Sequence, residues 1–225
     1  IMRGPNVKLA KDYAEVVAFT ANDEALPLSL INRLKNGQTI LHEGSQGFSL
    51  DIHHGSHYPQ CTSRSCTVGQ SMTDMGIPHT MVGDVYLVVR PYPIRVGNVV
   101  ENGQTVGHSG GCYEDNQEIS WSDVAKAANA PEEVMQGELT TVTKRLRRVF
   151  SWSDIQFSQA VVINGANKIC LNFANYIDWS CSNKNDWDDL GTKVHDWIKK
   201  LEDKHQIEVA LVGTGPQVNH VCVRP

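Results

Sequence analysis

KICLNFANYIDWSCSNKNDWDDLGTKVHDWIKKLEDKHQIEVALVGTGP, residues 168–216, carries the pattern that decides the fold. Lys168–Ile177 reads as a strand. Asp186–Lys204 reads as the clearest helix in the chain, because Trp187, Leu190, Val194, Trp197, Ile198 and Leu201 share one face at helical spacing. Asp188 and Asp189 stand in its first turn and Lys199 and Lys200 in its last, charges that complement the helix dipole. Ile207–Val212 is a second strand, and it runs into Gly213-Thr214-Gly215-Pro216. Strand, helix, strand and then a glycine loop at a strand's carboxyl end is the order of an α/β fold with a central, mostly parallel sheet, and ligands bind at that end.

Upstream, Ser153-Asp154-Ile155-Gln156 has the form of a capping box and opens a helix that ends at Gly165. Ser120–Ala130 is a short helix stopped by Pro131, and Asn102-Gly103 marks a tight turn. Thr80–Arg95 holds an apolar block, MVGDVYLVV, read as a buried helix or strand that Pro91 and Pro93 break. Asn22–Leu34 is helix-like, with Asn22 or Asp23 as cap, and Gln38–Glu43 follows as a short strand. Glu43–Cys66 (EGSQGFSLDIHHGSHYPQCTSRSC) is loop chemistry, and long ordered loops tend to carry function. No repeat or linker divides the chain, so a single α/β domain over residues 1–225 is expected.

With 225 residues there is room for one sizeable core, and 40% hydrophobic with 20% charged residues is ordinary globular composition. A net charge of −5 and a pI near 6.0 argue against general nucleic-acid binding. No apolar run approaches the ~18 residues of a membrane span, so no membrane partner is expected. The opening IMRGPNVKLAKDYAEVV carries no apolar secretion signal, which points to the cytoplasm. It also starts without Met, as a portion of a longer chain would. The six Cys, at 61, 66, 112, 170, 181 and 222, form no CxxC pair and read as free thiols.

Two clusters hold candidate chemistry. His53, His54, His57, Cys61 and Cys66 crowd one loop, but their spacing fits no tetrahedral zinc pattern. Gly137–Trp152 (GELTTVTKRLRRVFSW) places Thr140, Thr141 and Thr143 before Lys144, Arg145, Arg147 and Arg148. Hydroxyls followed by guanidinium forks suit anionic oxygens, carboxylate or phosphate; a solvated basic face or a nucleic-acid patch would read the same.

Taken together, four ordered stretches resemble the adenylosuccinate synthetase family. EGSQGFSLDIHHGSHYPQCTS resembles that family's EGAQG…LDI-HG-YP-VTS segment, with one extra residue near His57. PIRVG at 93–97 resembles its TRVG strand end. ELTTVTKRLRR at 138–148 aligns without a gap on its E-Y-G-(V/A)-T-T-G-R-x-R-R loop, and Gly213–Pro216 on its STGP. The resemblance is closer to a phage branch whose members condense dGMP with aspartate on the route to 2-aminoadenine DNA; CTSR at 61–64, TDMGIP at 73–78 and TTVTKRLRRVFS at 140–151 carry it. LNFANYID at 171–178 lies where ordinary members have a K-L-D motif whose Asp grips the guanine of GTP. Phe173 stands for the Lys and Asn175 for the Asp. A carboxylate accepts from both guanine N1–H and the 2-amino group, whereas Asn offers a donor that suits adenine N1.

The resemblance implies a P-loop-related fold, an ATP- or dATP-driven carbon–nitrogen ligase and a homodimer. In this family the γ-phosphoryl group is transferred to the purine 6-oxygen, and the aspartate amine then displaces phosphate, with Mg²⁺ and cations neutralising charge. By position, Gln46, Leu50, Thr62, the backbone of Val96 and Arg145 would hold the purine nucleotide. Thr143, Arg145 and Arg147 would hold L-aspartate, leaving Lys144 and Arg148 free to face solvent or close the loop. Asn175, Gly213, Thr214, Gly215 and Pro216 would line the phosphate donor. The substrate would be dGMP with ATP or dATP, in the host cytoplasm if the gene is a phage's. An ordinary enzyme of this family, using IMP and GTP, and a non-catalytic nucleotide-binding fragment remain the alternatives. The family's N-terminal phosphate loop and its catalytic Asp and His do not appear, so no catalytic residue and no metal ligand is assigned, and the match runs over the last two-thirds of a typical member. Lys144 stands where the family has Gly.

Overall fold

The computed structural model describes residues 26–131, 133–141 and 144–225. They divide into two compact units: one from the described part of Ile1–Gly44 with Gly69–Val82, the other from Ser45–Val68 and Gly83–Pro225. In the first, helix α1 (Leu26–Lys35) ends one residue past the expected Leu34, with Arg33 and Lys35 in its last turn; its proposed cap, Asn22 or Asp23, lies outside the described residues. Helix α2 is Val68–Met75. The expected strand at Gln38–Glu43 is not formed. Leu41 is 93% exposed, so that stretch has no apolar face to bury against a sheet.

The larger unit is built on a four-stranded sheet in the order β1-β7-β8-β9. Strands β1 (Tyr86–Val89), β7 (Lys168–Leu171) and β8 (Glu208–Gly213) run parallel, and β9 (Val221–Val223) closes the edge antiparallel to β8. The α/β reading with a mostly parallel sheet therefore holds. Its core is Ile169 and Leu171 of β7 with Val209 and Val212 of β8, packed by Phe157 of α4 (Asp154–Asn164) and by Val194, Ile198 and Leu201 of α5 (Thr192–His205). Burying each such side chain contributes about 2 kcal/mol. A second core joins α3 (Trp121–Ala128) to a small antiparallel sheet, β2-β6-β5, formed by Ile94–Arg95, Arg148–Phe150 and Glu118–Ile119. Asn102-Gly103 turns the β3–β4 hairpin (Val99–Glu101, Gln104–Gly107) as expected.

Helix ends follow their caps. Ser120 accepts from the Asp123 amide and Asp123 returns the bond, a complete capping box on α3. Ser153 accepts from the Gln156 amide at 3.0 Å and α4 ends at Gly165.

Three boundaries differ from expectation. The Asp186–Lys204 helix is two pieces, a single 3₁₀ turn at Trp187–Leu190 and then α5. Between them Gly191 takes φ +77, a conformation L side chains rarely adopt. The apolar face nonetheless stays continuous, because Leu190, Val194, Ile198 and Leu201 all enter the core, with Trp187 and Trp197 against it. The Lys168–Ile177 strand stops at Leu171: Phe173 turns to φ +61, and Ala174–Tyr176 form a 3₁₀ turn. The apolar block of Thr80–Arg95 yields only β1, whose residues alternate exposed and half-buried rather than lying buried.

Candidate functional site

The loop after Ser45 is folded around a carboxylate that the sequence reading passed over. Asp51 is fully buried; its Oδ1 accepts from the amides of His53 (2.8 Å) and His54 (2.9 Å), and its Oδ2 from Ser65 Oγ (2.6 Å) and the Cys66 amide. Burial pushes its pKa up, but the bonds from Ser65, Cys66, His53 and His54 outweigh burial and lower it to about 2. The histidines thus serve the loop through their backbones. Among the described residues no group of three His, Cys, Asp or Glu side chains could hold a metal ion, and all six Cys are free thiols. The same loop brings Thr62 to Leu50, whose carbonyl accepts from the Thr62 amide at 2.7 Å.

A cavity of about 350 Å³ opens beside this loop and β1. Such a volume suits a small-molecule ligand. Ser49 and Leu50 form one wall, Val89 and Arg90 another, Arg95 and Tyr113 a third, and Arg147 reaches it from the basic stretch. Leu50 and Arg147, expected to bind different substrates, therefore share one space. Gln46 and Val96 are exposed and flank it, next to Gly47 and Arg95 of the wall. Arg145 is exposed and lies beside Gly97, where an added Cβ would meet the Leu146 carbonyl at 2.5 Å and Arg145 Cβ at 3.5 Å. This close approach explains why glycine follows Val96. His57 stacks edge-on to Tyr113 at 5.7 Å. Burial, then the charges of Arg95 and His108, push its pKa below the ordinary value, so it is a neutral imidazole at pH 7.

The basic stretch is a narrow loop. Leu139 bridges Leu146, the Arg147 amide donates to the Glu138 carbonyl at 2.7 Å, and the Thr140 amide to the Arg145 carbonyl at 2.9 Å. Buried Thr140 also accepts from the Arg145 amide through Oγ1 at 2.9 Å. Thr143 lies outside the described residues. Lys144 is exposed at φ +52, a left-handed position that accounts for the glycine found there in the family.

Arg148 corrects the expectation that it is free. Its Nε and Nη2 donate to Glu118 at 2.9 and 2.6 Å, and its Nη1 to the Gly110 carbonyl at 2.6 Å and to Ser109 Oγ at 3.0 Å. It pins the glycine-rich Gly107–Gly111 segment, and the Arg148 bonds hold the Glu118 carboxyl below its usual pKa. Arg147 Nε stands 4.0 Å from Glu138 Oε2, so two of the four cations already face carboxylates, which weakens the nucleic-acid reading.

The two segments expected to line the phosphate donor leave the carboxyl edge of the sheet together, since Leu171 pairs with Val212 in parallel register. Asn175 sits half-buried on the 3₁₀ turn after β7. Gly213 ends β8 against Asn172, where a Cβ would strike the Asn172 side chain. Thr214 is fully buried, donating to the Lys184 carbonyl at 2.5 Å, so its hydroxyl holds the loop rather than facing a ligand. Gly215 packs against Asn183 and His220, and Pro216 is exposed. Asp51, Arg90, Arg95, Tyr113 and Glu138 were not foreseen. Only Asp51 had a readable signal, an Asp inside a Gly/Ser-rich loop, where side chains cap nearby amides.

Comparison with known proteins gives this geometry a lineage. The adenylosuccinate synthetase family profile matches residues 6–179. The N6-succino-2-amino-2'-deoxyadenylate synthase of Vibrio phage phiVC8 is 38% identical over 224 residues, covering 97% of this chain and 56% of that protein. The adenylosuccinate synthetase of Archaeoglobus fulgidus is 28% identical over 222 residues, 95% of this chain and 56% of its own. The chain thus spans about half the length of the curated relatives it matches. Among solved structures, the cyanophage S-2L succinoaminodeoxyadenylate synthetase, bound to dGMP and to dATP as an energy donor, superposes with a TM-score of 0.68 at 33% identity, over 88% of this chain and 50% of that one. A fully ligated adenylosuccinate synthetase from Plasmodium falciparum, at 21% identity and a TM-score of 0.67, supports the fold alone. With the family profile matched over most of its length and the same fold, this chain belongs to the adenylosuccinate synthetase family.

Proposed function

We propose that this chain provides the substrate-binding part of a carbon–nitrogen ligase that condenses dGMP with L-aspartate, driven by ATP or dATP, to give the 2-aminoadenylosuccinate nucleotide. The observation that carries the reading is the cavity where Leu50 and Arg147 meet. A purine held by Gln46, Leu50, Thr62, the Val96 backbone and Arg145 would lie beside an aspartate held by Thr143, Arg145 and Arg147. Juxtaposing amine and purine C6 is what the reaction needs, since correct placement of two reactants supplies much of the rate. Guanidinium forks are the groups that hold carboxylates bidentately. The phage relatives favour dGMP over IMP, because they match at 36–38% identity against 28–32% for the archaeal enzymes.

On the donor side, Asn175 with Gly215 and Pro216 would line the base and ribose at the sheet's carboxyl edge, on a loop that begins at Gly213 and is held from behind by buried Thr214. Asn175 favours an adenine nucleotide over GTP. Mg²⁺ would be shared with the phosphates of the donor, as is usual for this ion, and it is assigned to no residue of this chain. The family resemblance supports a homodimer. No described helix is long and apolar enough to cross a membrane. The family resemblance supports a reaction in the cytoplasm, that of the host if a phage encodes the chain.

The test incubates the intact protein with aspartate, ATP and either dGMP or IMP and identifies the product by mass. Formation of the succino-adduct of dGMP supports the proposal. Turnover of IMP alone would replace it with ordinary adenylosuccinate synthesis, and nucleotide binding without phosphate release on adding aspartate would leave a binding fragment.

A further inference from the structure

Arg90 leaves the carboxyl end of β1 and points between two segments to which the proposed function gives different substrates. Its Nη1 donates to Glu138 Oε2 at 3.2 Å and its Nη2 to Glu138 Oε1, a bidentate pair. The two side chains are only 17% and 22% exposed. Glu138 opens the loop that carries Arg145 and Arg147, and Arg147 Nε stands 4.0 Å away from its Oε2. Glu138 Oε1 also accepts from Tyr176 OH at 3.1 Å. Tyr176 belongs to the turn that displays Asn175.

The guanidinium has a second use. Arg90 Cζ lies 4.1 Å from the Phe173 ring centroid and 5.8 Å from that of Tyr176, and the two rings are 5.2 Å apart. Phe173 is held at φ +61, which an L residue with a bulky side chain adopts only when its surroundings impose it. Those surroundings are the Arg90 face and the Tyr176 ring. A flat guanidinium fixed in plane by a carboxylate can stack and fork at once, and Lys can do neither.

We propose that Arg90 is a positioning residue for the phosphate donor: pinned by Glu138, it clamps the Phe173–Tyr176 turn and so fixes Asn175 against the donor base, tying that pocket to the aspartate loop. The inference rests on the proposed assignment of Asn175 to the donor and of Arg147 to aspartate.

The test compares Arg90→Lys, Glu138→Gln and the double variant in the intact protein. Arg90→Lys should raise the KM for ATP about tenfold, corresponding to about 1.4 kcal/mol, clearly more than it raises the KM for dGMP or aspartate, whose shared cavity Arg90 also lines. Glu138→Gln should raise the KM for ATP and also that for aspartate, because Arg147 loses its neighbour. For ATP the double variant should be no worse than Arg90→Lys alone, as expected of residues in one network. Hydrogen exchange at the Tyr176 and Ile177 amides, bonded to the Phe173 and Ala174 carbonyls at 2.9 and 2.8 Å, should quicken in all three. Equal rises for all three substrates, additive losses, or unchanged exchange would overturn the clamp. Absence of turnover in the unsubstituted protein would defeat the functional reading instead, and the exchange measurement would then decide the clamp by itself: faster exchange upholds it and unchanged exchange removes it.

Discussion

Replacing Asp51 by Asn should separate the loop's architecture from its chemistry. The Asp51 carboxylate is fully buried and accepts four hydrogen bonds, two at each oxygen. In Asn one oxygen becomes an NH₂ that faces two donors, so those bonds are lost and replaced by repulsion. The size of the loss follows from the titration. The carboxyl has a pKa of about 2 in the fold against an ordinary 3.8, and at about 1.4 kcal/mol per pH unit the difference corresponds to about 2 kcal/mol. The folded pKa is depressed, so this contribution is complete above pH 3.8, where both states are ionised, and is lost as pH falls towards 2. Urea unfolding of both proteins should give a difference of about 2 kcal/mol at pH 7 and about 1 kcal/mol at pH 3. Asp51 also fixes the segment joining Leu50 to Thr62, so the variant should bind dGMP more weakly. Equal stability at pH 7, or a difference that does not shrink on acidification, would refute this account.

Arg147→Leu should raise the KM for aspartate roughly 10- to 100-fold, the loss of a charge-assisted pair, and leave dGMP binding nearly unchanged; equal losses for both ligands, measured by steady-state kinetics and calorimetry, would contradict its role. Arg148→Ala should act oppositely: thermal unfolding should show a loss of about 2 kcal/mol, because Glu118 and the Gly110 carbonyl lose a half-buried partner, while the aspartate KM of the folded fraction moves little. Asn175→Asp should weaken ATP about tenfold and admit GTP, since a carboxylate accepts from both guanine N–H groups; unchanged donor preference in an initial-rate assay would remove Asn175 from the base pocket.

The α/β pattern was legible because burial enforces it: Leu190, Val194, Ile198 and Leu201 had to share a face whether or not the helix ran unbroken. The break at Gly191 was not legible, since glycine inside a periodic run is tolerated in many helices and only the backbone shows φ +77. Phe173 is the same lesson reversed. A β-favouring aromatic sits in a left-handed turn, packed by Tyr176 three residues on and by Arg90 from a distant part of the chain. In the site, Arg147 was foreseen through the family motif and reaches the cavity, whereas Arg148 carries the same charge and was expected to be free. What distinguishes them is three-dimensional: Glu118 across the β5–β6 pairing and the Gly110 carbonyl both take up Arg148. Glu138 acts on Arg90 and Tyr176, and Asp51 on Ser65 and Cys66, groups far away in sequence; only the bonds of Asp51 to the His53 and His54 amides are local enough to read.

The proposed reaction couples dGMP rather than IMP to aspartate, a preference drawn from the phage relatives at 36–38% identity. Equimolar dGMP and IMP, offered together to the intact protein with aspartate and ATP, test it most directly through the ratio of the two succino-nucleotide products. The dGMP product should dominate, and dATP should support the reaction as well as ATP does. Dominance of the IMP product, or a reaction sustained by GTP and not by ATP, would contradict it.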